Sequence, residues 1–136
     1  MKRLACVASV LALLAASGLA SSDDEKTPTI KEVMRKLHKG ANSPLAKLKK
    51  ALAADSPDWK SIQDTTKDFE KLGAALAKND PPKGDKEDFK ELAESYSKNA
   101  KALNDAAKEE DKAEAQAAFK KVSTSCTACH KAHRPN

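Results

Sequence analysis

Cys126-Thr127-Ala128-Cys129-His130, close to the C-terminal end of the sequence, is the segment whose residue types and spacing could do chemistry. A spacing of three puts both thiols on one side of a helical turn. His130 follows directly, close enough to offer an imidazole nitrogen to a metal held over that turn. Cys-x-x-Cys-His is the pattern by which c-type haem is attached. Each thiol adds across one haem vinyl group, the sulfur taking one carbon of the double bond and the hydrogen the other. His130 then ligates the iron from the proximal side.

Three other chemistries use the same residues. Paired cysteines in a secreted chain often form a disulfide. A thioredoxin-like redox pair also reads Cys-x-x-Cys, but it opens a helix within a strand-helix-strand unit, and no such pattern surrounds these cysteines. A zinc site could recruit His133, though its two ligand pairs would overlap within one short helical stretch. The haem reading alone accounts for the adjacent histidine and for export of the chain. The sequence has three histidines, one of them assigned to iron, and its acidic residues are scattered over polar faces. No acid-base pair for catalysis emerges, and an enzyme is not expected.

Export is written into the start of the chain. Lys2 and Arg3 precede an apolar run from Leu4 to Ser17, and Gly18-Leu19-Ala20 provides a small-x-small cleavage site. The run is too short to span a bilayer. Residues 1–20 therefore read as a signal peptide, 21–27 as a flexible N-terminal segment and 28–136 as one domain in the periplasm, with no stable membrane association. Cys6 lies within the leader and precedes most of the apolar run, unlike a lipoprotein cysteine. The formal charge of +5 is mild and includes Lys2 and Arg3. Lysines alternate with Asp and Glu as on solvated helix faces, which excludes nucleic-acid binding and leaves room for a Lys-rich rim facing an acidic protein partner.

The elements that must position the motif are helical. Ala, Lys, Leu and Glu dominate after Thr27, glycine is scarce, and no stretch alternates as a strand would. Ile30, Val33, Met34, Leu37, Leu45, Leu48 and Leu52 form a first apolar stripe. Gly40 and Ser43-Pro44 interrupt it with a kink or a break, Ser43 recapping and Pro44 in the first turn. Ser56-Pro57 is expected to open a second helix with Trp59, Ile62, Phe69, Leu72 and Leu76, ending near Lys78. Asp85 caps a third that presents Phe89, Leu92, Tyr96 and Leu103. Asp111 and Glu114 start a fourth, which runs through Ala115, Phe119 and Val122 into the cysteines. Four amphipathic segments with short links predict an all-α, antiparallel up-down four-helix bundle. Large apolar side chains are few, and the core looks underfilled without a bound apolar group.

A C-terminal Cys-x-x-Cys-His on the last helix of an exported four-helix chain resembles the class II c-type cytochromes, the cytochrome c-prime family. The resemblance covers the mature chain and implies one covalent haem c. It also implies either a low-spin electron carrier, with a Met ligand from the first helix, or a five-coordinate protein that binds NO or CO. Relatives commonly read His-x-x-Phe-Arg where this chain has His130-Lys131-Ala132-His133-Arg134. His133 thus replaces an aromatic, to stack near the ring or face solvent. Arg134 takes the family's Arg position, where a haem propionate or a helix-end carbonyl is its expected partner. Redox proteins are the implied partners, and the family allows a homodimer.

Met34 is the expected sixth ligand. Antiparallel packing sets the end of the fourth helix beside the start of the first, and Met34 lies about 9 Å along the axis from Pro28. It falls roughly 30° from the centre of the first stripe. An ordinary core methionine would sit there too. His38, a turn further on and roughly 70° from the centre, is the competitor and reads as an edge residue, solvated or hydrogen-bonded.

Overall fold

The computed structural model describes residues 26–135, so the expected signal peptide, with Cys6, and residues 21–25 lie outside the described residues. Five helices make up the regular structure of that range: α1 Ile30–His38, α2 Pro44–Ala53, α3 Trp59–Leu76, α4 Lys86–Lys108 and α5 Lys112–His133. They form the all-α, four-armed bundle expected, with α1 and α2 together making one arm.

The interruption in that arm is a break. Thr29 and Glu32 form a reciprocal capping box at the start of α1. After His38 the chain reaches Gly40 at φ +92°, a conformation open to a residue without Cβ. Ser43 then caps α2 by accepting the Ala46 amide at 3.3 Å, and Pro44 fills the first turn. Val33 and Leu37 on α1 and Leu48 and Leu52 on α2 are all buried, so the apolar face resumes in phase beyond the break.

Ser56-Pro57 does not start the next helix. Asp58 is the cap, accepting the Ser61 amide at 3.2 Å, and α3 begins at Trp59. An Asp carboxylate following a proline captures the orphan amides, so the start moves two residues on. Asp85 and Asp111 cap α4 and α5 as expected, accepting the amides of Asp88 and Glu114, each at 2.9 Å.

The core also uses residues the stripe missed. On α4 the buried apolar side chains are Phe89, Ala93, Tyr96, Ala100, Leu103, Ala106 and Ala107, while Leu92 is only half-buried. Small residues let helices approach closely: a Cβ on Gly73 of α3 would stand 3.2 Å from a Tyr96 ring carbon and 3.3 Å from the Ala100 Cβ. The bundle closes over much of its length by bringing backbones together rather than by adding apolar bulk.

Packing is uneven. α3, α4 and α5 pack successively, and α2 reaches both α3 and α5. By contrast no Cα of α1 comes within 8 Å of a Cα of α4 or α5. Helices in direct contact have axes about 8 to 10 Å apart, which brings Cα atoms nearer than that. α1 therefore stands off from the two helices that carry the motif end.

Candidate functional site

Cys126, Cys129 and His130 occupy the last two turns of α5. Both cysteines are half-buried free thiols, and Cys129 packs against the apolar core. The Cys126 thiol points back along the helix, 3.9 Å from the Val122 carbonyl that accepts from it. Burial pushes both thiols above the ordinary range, with the charges of Cys126 and Asp88 adding to the effect on Cys129. Such thiols keep their protons, the opposite of the thiolate that a thioredoxin-like pair needs.

His130 is exposed, and from Ser123 to Ala132 no side chain of α5 is fully buried. That interval lies between two buried residues, Val122 and His133. It is the part of α5 that the protein's own helices leave least covered.

Across the stand-off lies α1. Met34 is half-buried and packs against the core from that helix. His38, at its last residue, is half-buried and takes the hydrogen-bonded rather than the solvated alternative. Its ring is edge-on to Phe69 at 5.8 Å and to Tyr96 at 5.9 Å between centroids. The Nε2 atom lies 3.0 Å from the Tyr96 hydroxyl. The buried Nδ1 has no hydrogen-bond partner.

Two physical effects hold the His38 ring neutral. Burial, followed by the nearby charge of His130, lowers its pKa from 6.5 to about 4. Burial, with the Cys126 charge adding to it, keeps the Tyr96 phenol protonated far above its ordinary value. These mutual influences place His38, Tyr96, Cys126 and His130 in one neighbourhood, across which α1 and α4 are tied by side chains.

His133 turns away from that neighbourhood. It is 3% exposed, with Nδ1 3.0 Å from the Lys83 carbonyl oxygen and Nε2 2.9 Å from an Asp88 carboxylate oxygen. It neither stacks over the motif nor faces solvent, which also removes it from any zinc set with the cysteines. Among the described residues, no group of three or more His, Cys, Asp and Glu side chains is gathered to hold a metal ion. Arg134 caps α5, its amide donating to the His130 carbonyl at 3.2 Å, and it is exposed. The role of His133 was missed in the sequence because its partners lie some fifty positions away; the signal within reach was Gly84, followed closely by Asp88.

The residues present fit a haem. Two thiols on one side of a turn, a following imidazole, an uncovered stretch of α5, a helix held off from it and a buried unpartnered nitrogen are what a flat apolar iron complex would occupy and satisfy. Residues 84–134 match the family model described as Cytochrome C', from just before the α4 cap through the motif to the end of α5. Over that stretch the chain is similar to the Cytochrome C' family, which supports its resemblance to the class II c-type cytochromes.

That family implies haem c with iron as cofactor, and its members are generally electron-carrying or gas-binding haem proteins. Its members are typically periplasmic, and no described helix is long and apolar enough to cross a membrane. No curated protein and no solved structure matches this chain.

Proposed function

We propose that this chain is a c-type cytochrome that carries single electrons between periplasmic redox proteins. One haem is attached through Cys126 and Cys129, His130 is its proximal ligand and Met34 its sixth. The observation that carries the reading is the pairing of the Cys126/Cys129/His130 face of α5 with an α1 that stands clear of it. When bound, haem c supplies a one-electron couple at iron.

The chain's own part is to hold that couple still. The two sulfurs fix the ring to α5, and the His130 imidazole is presented from the same turn. A neutral thioether from Met34 would hold the iron with a higher reduction potential than a second imidazole would give. His130 and Met34 would hold the iron from two rigid helices, so the chain itself would need little rearrangement on electron transfer. Arg134, at the end of α5, is suited to pair with a haem propionate. The alternating lysines along the helices supply a rim for an acidic partner.

A second reading for the sixth position is favoured by one observation: the buried, unpartnered Nδ1 of His38, close enough to His130 for their charges to interact. Tyr96 would then orient the ring through Nε2, the arrangement by which a partner on one imidazole nitrogen frees the other for a metal.

Absorption spectra of oxidised and reduced protein, with and without carbon monoxide, test the proposal. Sharp reduced bands, a Met-to-iron charge-transfer band lost in Met34→Ala and sluggish carbon monoxide binding are expected. Loss of the low-spin spectrum in His38→Ala but not in Met34→Ala assigns the ligand to His38. A high-spin wild type that binds carbon monoxide rapidly and tightly overturns the electron-carrier reading in favour of a five-coordinate gas-binding protein.

A further inference from the structure

His133 presents both ring nitrogens to oxygen acceptors. Nδ1 lies 3.0 Å from the Lys83 carbonyl and Nε2 lies 2.9 Å from the Asp88 carboxylate. A carbonyl has no proton to give, and a carboxylate has none in its ionised form. Each bond can be made only if the imidazole nitrogen donates, so the geometry calls for a doubly protonated ring.

The surroundings favour that cation although the side chain is only 3% exposed. His133 is the last residue of α5, where carbonyl dipoles point outward, and Asp88 is the third residue of α4, where amide dipoles do. Each charge therefore sits at the helix end that stabilises it, and each faces the other. The Asp88 carboxylate is itself 55% exposed, which spares half of the pair the cost of full desolvation. Phe89 closes the pocket with its ring edge-on, 5.3 Å away. Gly84 completes it, because a Cβ there would stand 2.7 Å from Nδ1 and 2.9 Å from the Ala132 carbonyl. The charged and titratable groups near the ring are thus Asp88 from α4 and, one turn back on its own helix, Cys129 and His130.

We infer that His133 is a positioning residue for the haem: as a doubly donating imidazolium it clamps the last turn of α5 to α4 and to the loop before it, and so sets the angle at which His130 is presented. A proximal ligand on the last turn of a free helix end would fray with that end. Here the turn after it is anchored on two sides. The inference rests on the haem reading for its consequence, but the clamp itself does not require it.

The test uses full-length protein matured with haem, its attachment checked by mass under denaturing conditions. Long-range nitrogen-15 NMR of the reduced, diamagnetic protein, with carbon monoxide added if needed, should find both His133 nitrogens protonated near neutral pH. A ring with one proton overturns the clamp. His133→Phe fills the pocket without donating, and Asp88→Asn keeps an acceptor without the charge. Both should speed exchange of the Arg134 amide by roughly tenfold or more and broaden the electron paramagnetic resonance of the oxidised haem. Asp88→Glu should restore both. Unchanged resonance in all three variants with the haem attached would remove the positioning role. A chain without the haem mass gain instead defeats the haem reading and leaves the proton count to judge the clamp.

Discussion

At the end where α2 finishes and α5 begins, backbones are stitched by long polar side chains over a buried core. Gln116 donates to the Leu52 carbonyl at 2.7 Å, Lys112 to the Ala54 carbonyl at 2.6 Å and Gln63 to the Ala107 carbonyl at 3.0 Å. Further in, Thr66 and Asn104 are both buried, and Asn104 bonds Thr66 and donates to Glu70. At the opposite end, where α1 and α4 begin and α3 and α5 finish, α1 keeps its distance from α4 and α5, and the ties run through imidazoles: His38 to Tyr96, and His133 to Asp88 and Lys83. One end is complete with side chains alone. The other has polar groups arranged around a place for something else.

If the two ends are independent in this way, damage to the first should not feel the cofactor. Leu103 is fully buried on α4, away from the motif. Leu103→Ala should cost about 2 to 5 kcal/mol. Urea unfolding should return the same loss in haem-loaded protein and in a Cys126→Ser/Cys129→Ser chain, since sites without shared partners add. A loss that depends on the haem would mean the ends are coupled.

The opposite end should instead be sensitive to backbone chemistry that leaves the core untouched. Gly84→Ala forces φ +85° on a residue with a Cβ and drives that atom against His133. A cost of about 2 kcal/mol is expected from the left-handed backbone and the displaced clamp. Gly40→Ala is the control: it carries the same backbone penalty at φ +92°, with nothing within 4 Å of the added carbon. Equal losses from the two substitutions, measured by thermal unfolding, would argue that the His133 contact contributes nothing.

How far these differences could be read in the sequence depended on the range of the interaction. Helix starts at Asp85 and Asp111 were legible because a cap and its amide lie three residues apart. The interruption before Ser43-Pro44 was legible for the same reason, though not whether it would be a kink or a break. The start of α3 was misplaced by two residues because Ser56-Pro57 offered a local signal as good as that of Asp58. The alanine seam of α4 went unread: Ala93, Ala100 and Ala107 become core only when another helix comes close, and nothing local separates a buried alanine from a solvated one. At the candidate site the attachment motif is contiguous and was plain. The partners of His38 and His133 lie 58, 45 and 50 positions away, beyond any periodicity.

His38 gives the smallest effect and the one that distinguishes the ends by pH. Its folded pKa of about 4 lies below the 6.5 of the free side chain, burial being the main cause. Between those values the unfolded chain binds a proton that the folded chain does not. Stability from this group is therefore intact above about pH 6.5, falls as pH drops through the window, and has no more to lose below about pH 4. Because the ring is partly exposed, the loss should be only about 1 to 2 kcal/mol. His38→Gln can still bond Tyr96 but cannot titrate. Urea unfolding of haem-loaded protein at about pH 7 and about pH 4.5 should give a smaller acid loss in the variant than in the wild type. Equal losses would place the acid sensitivity elsewhere. A spectral change in the wild type at the same pH, absent from the variant, would mean that acid pulls His38 from iron, and would assign the sixth position to the imidazole rather than to Met34.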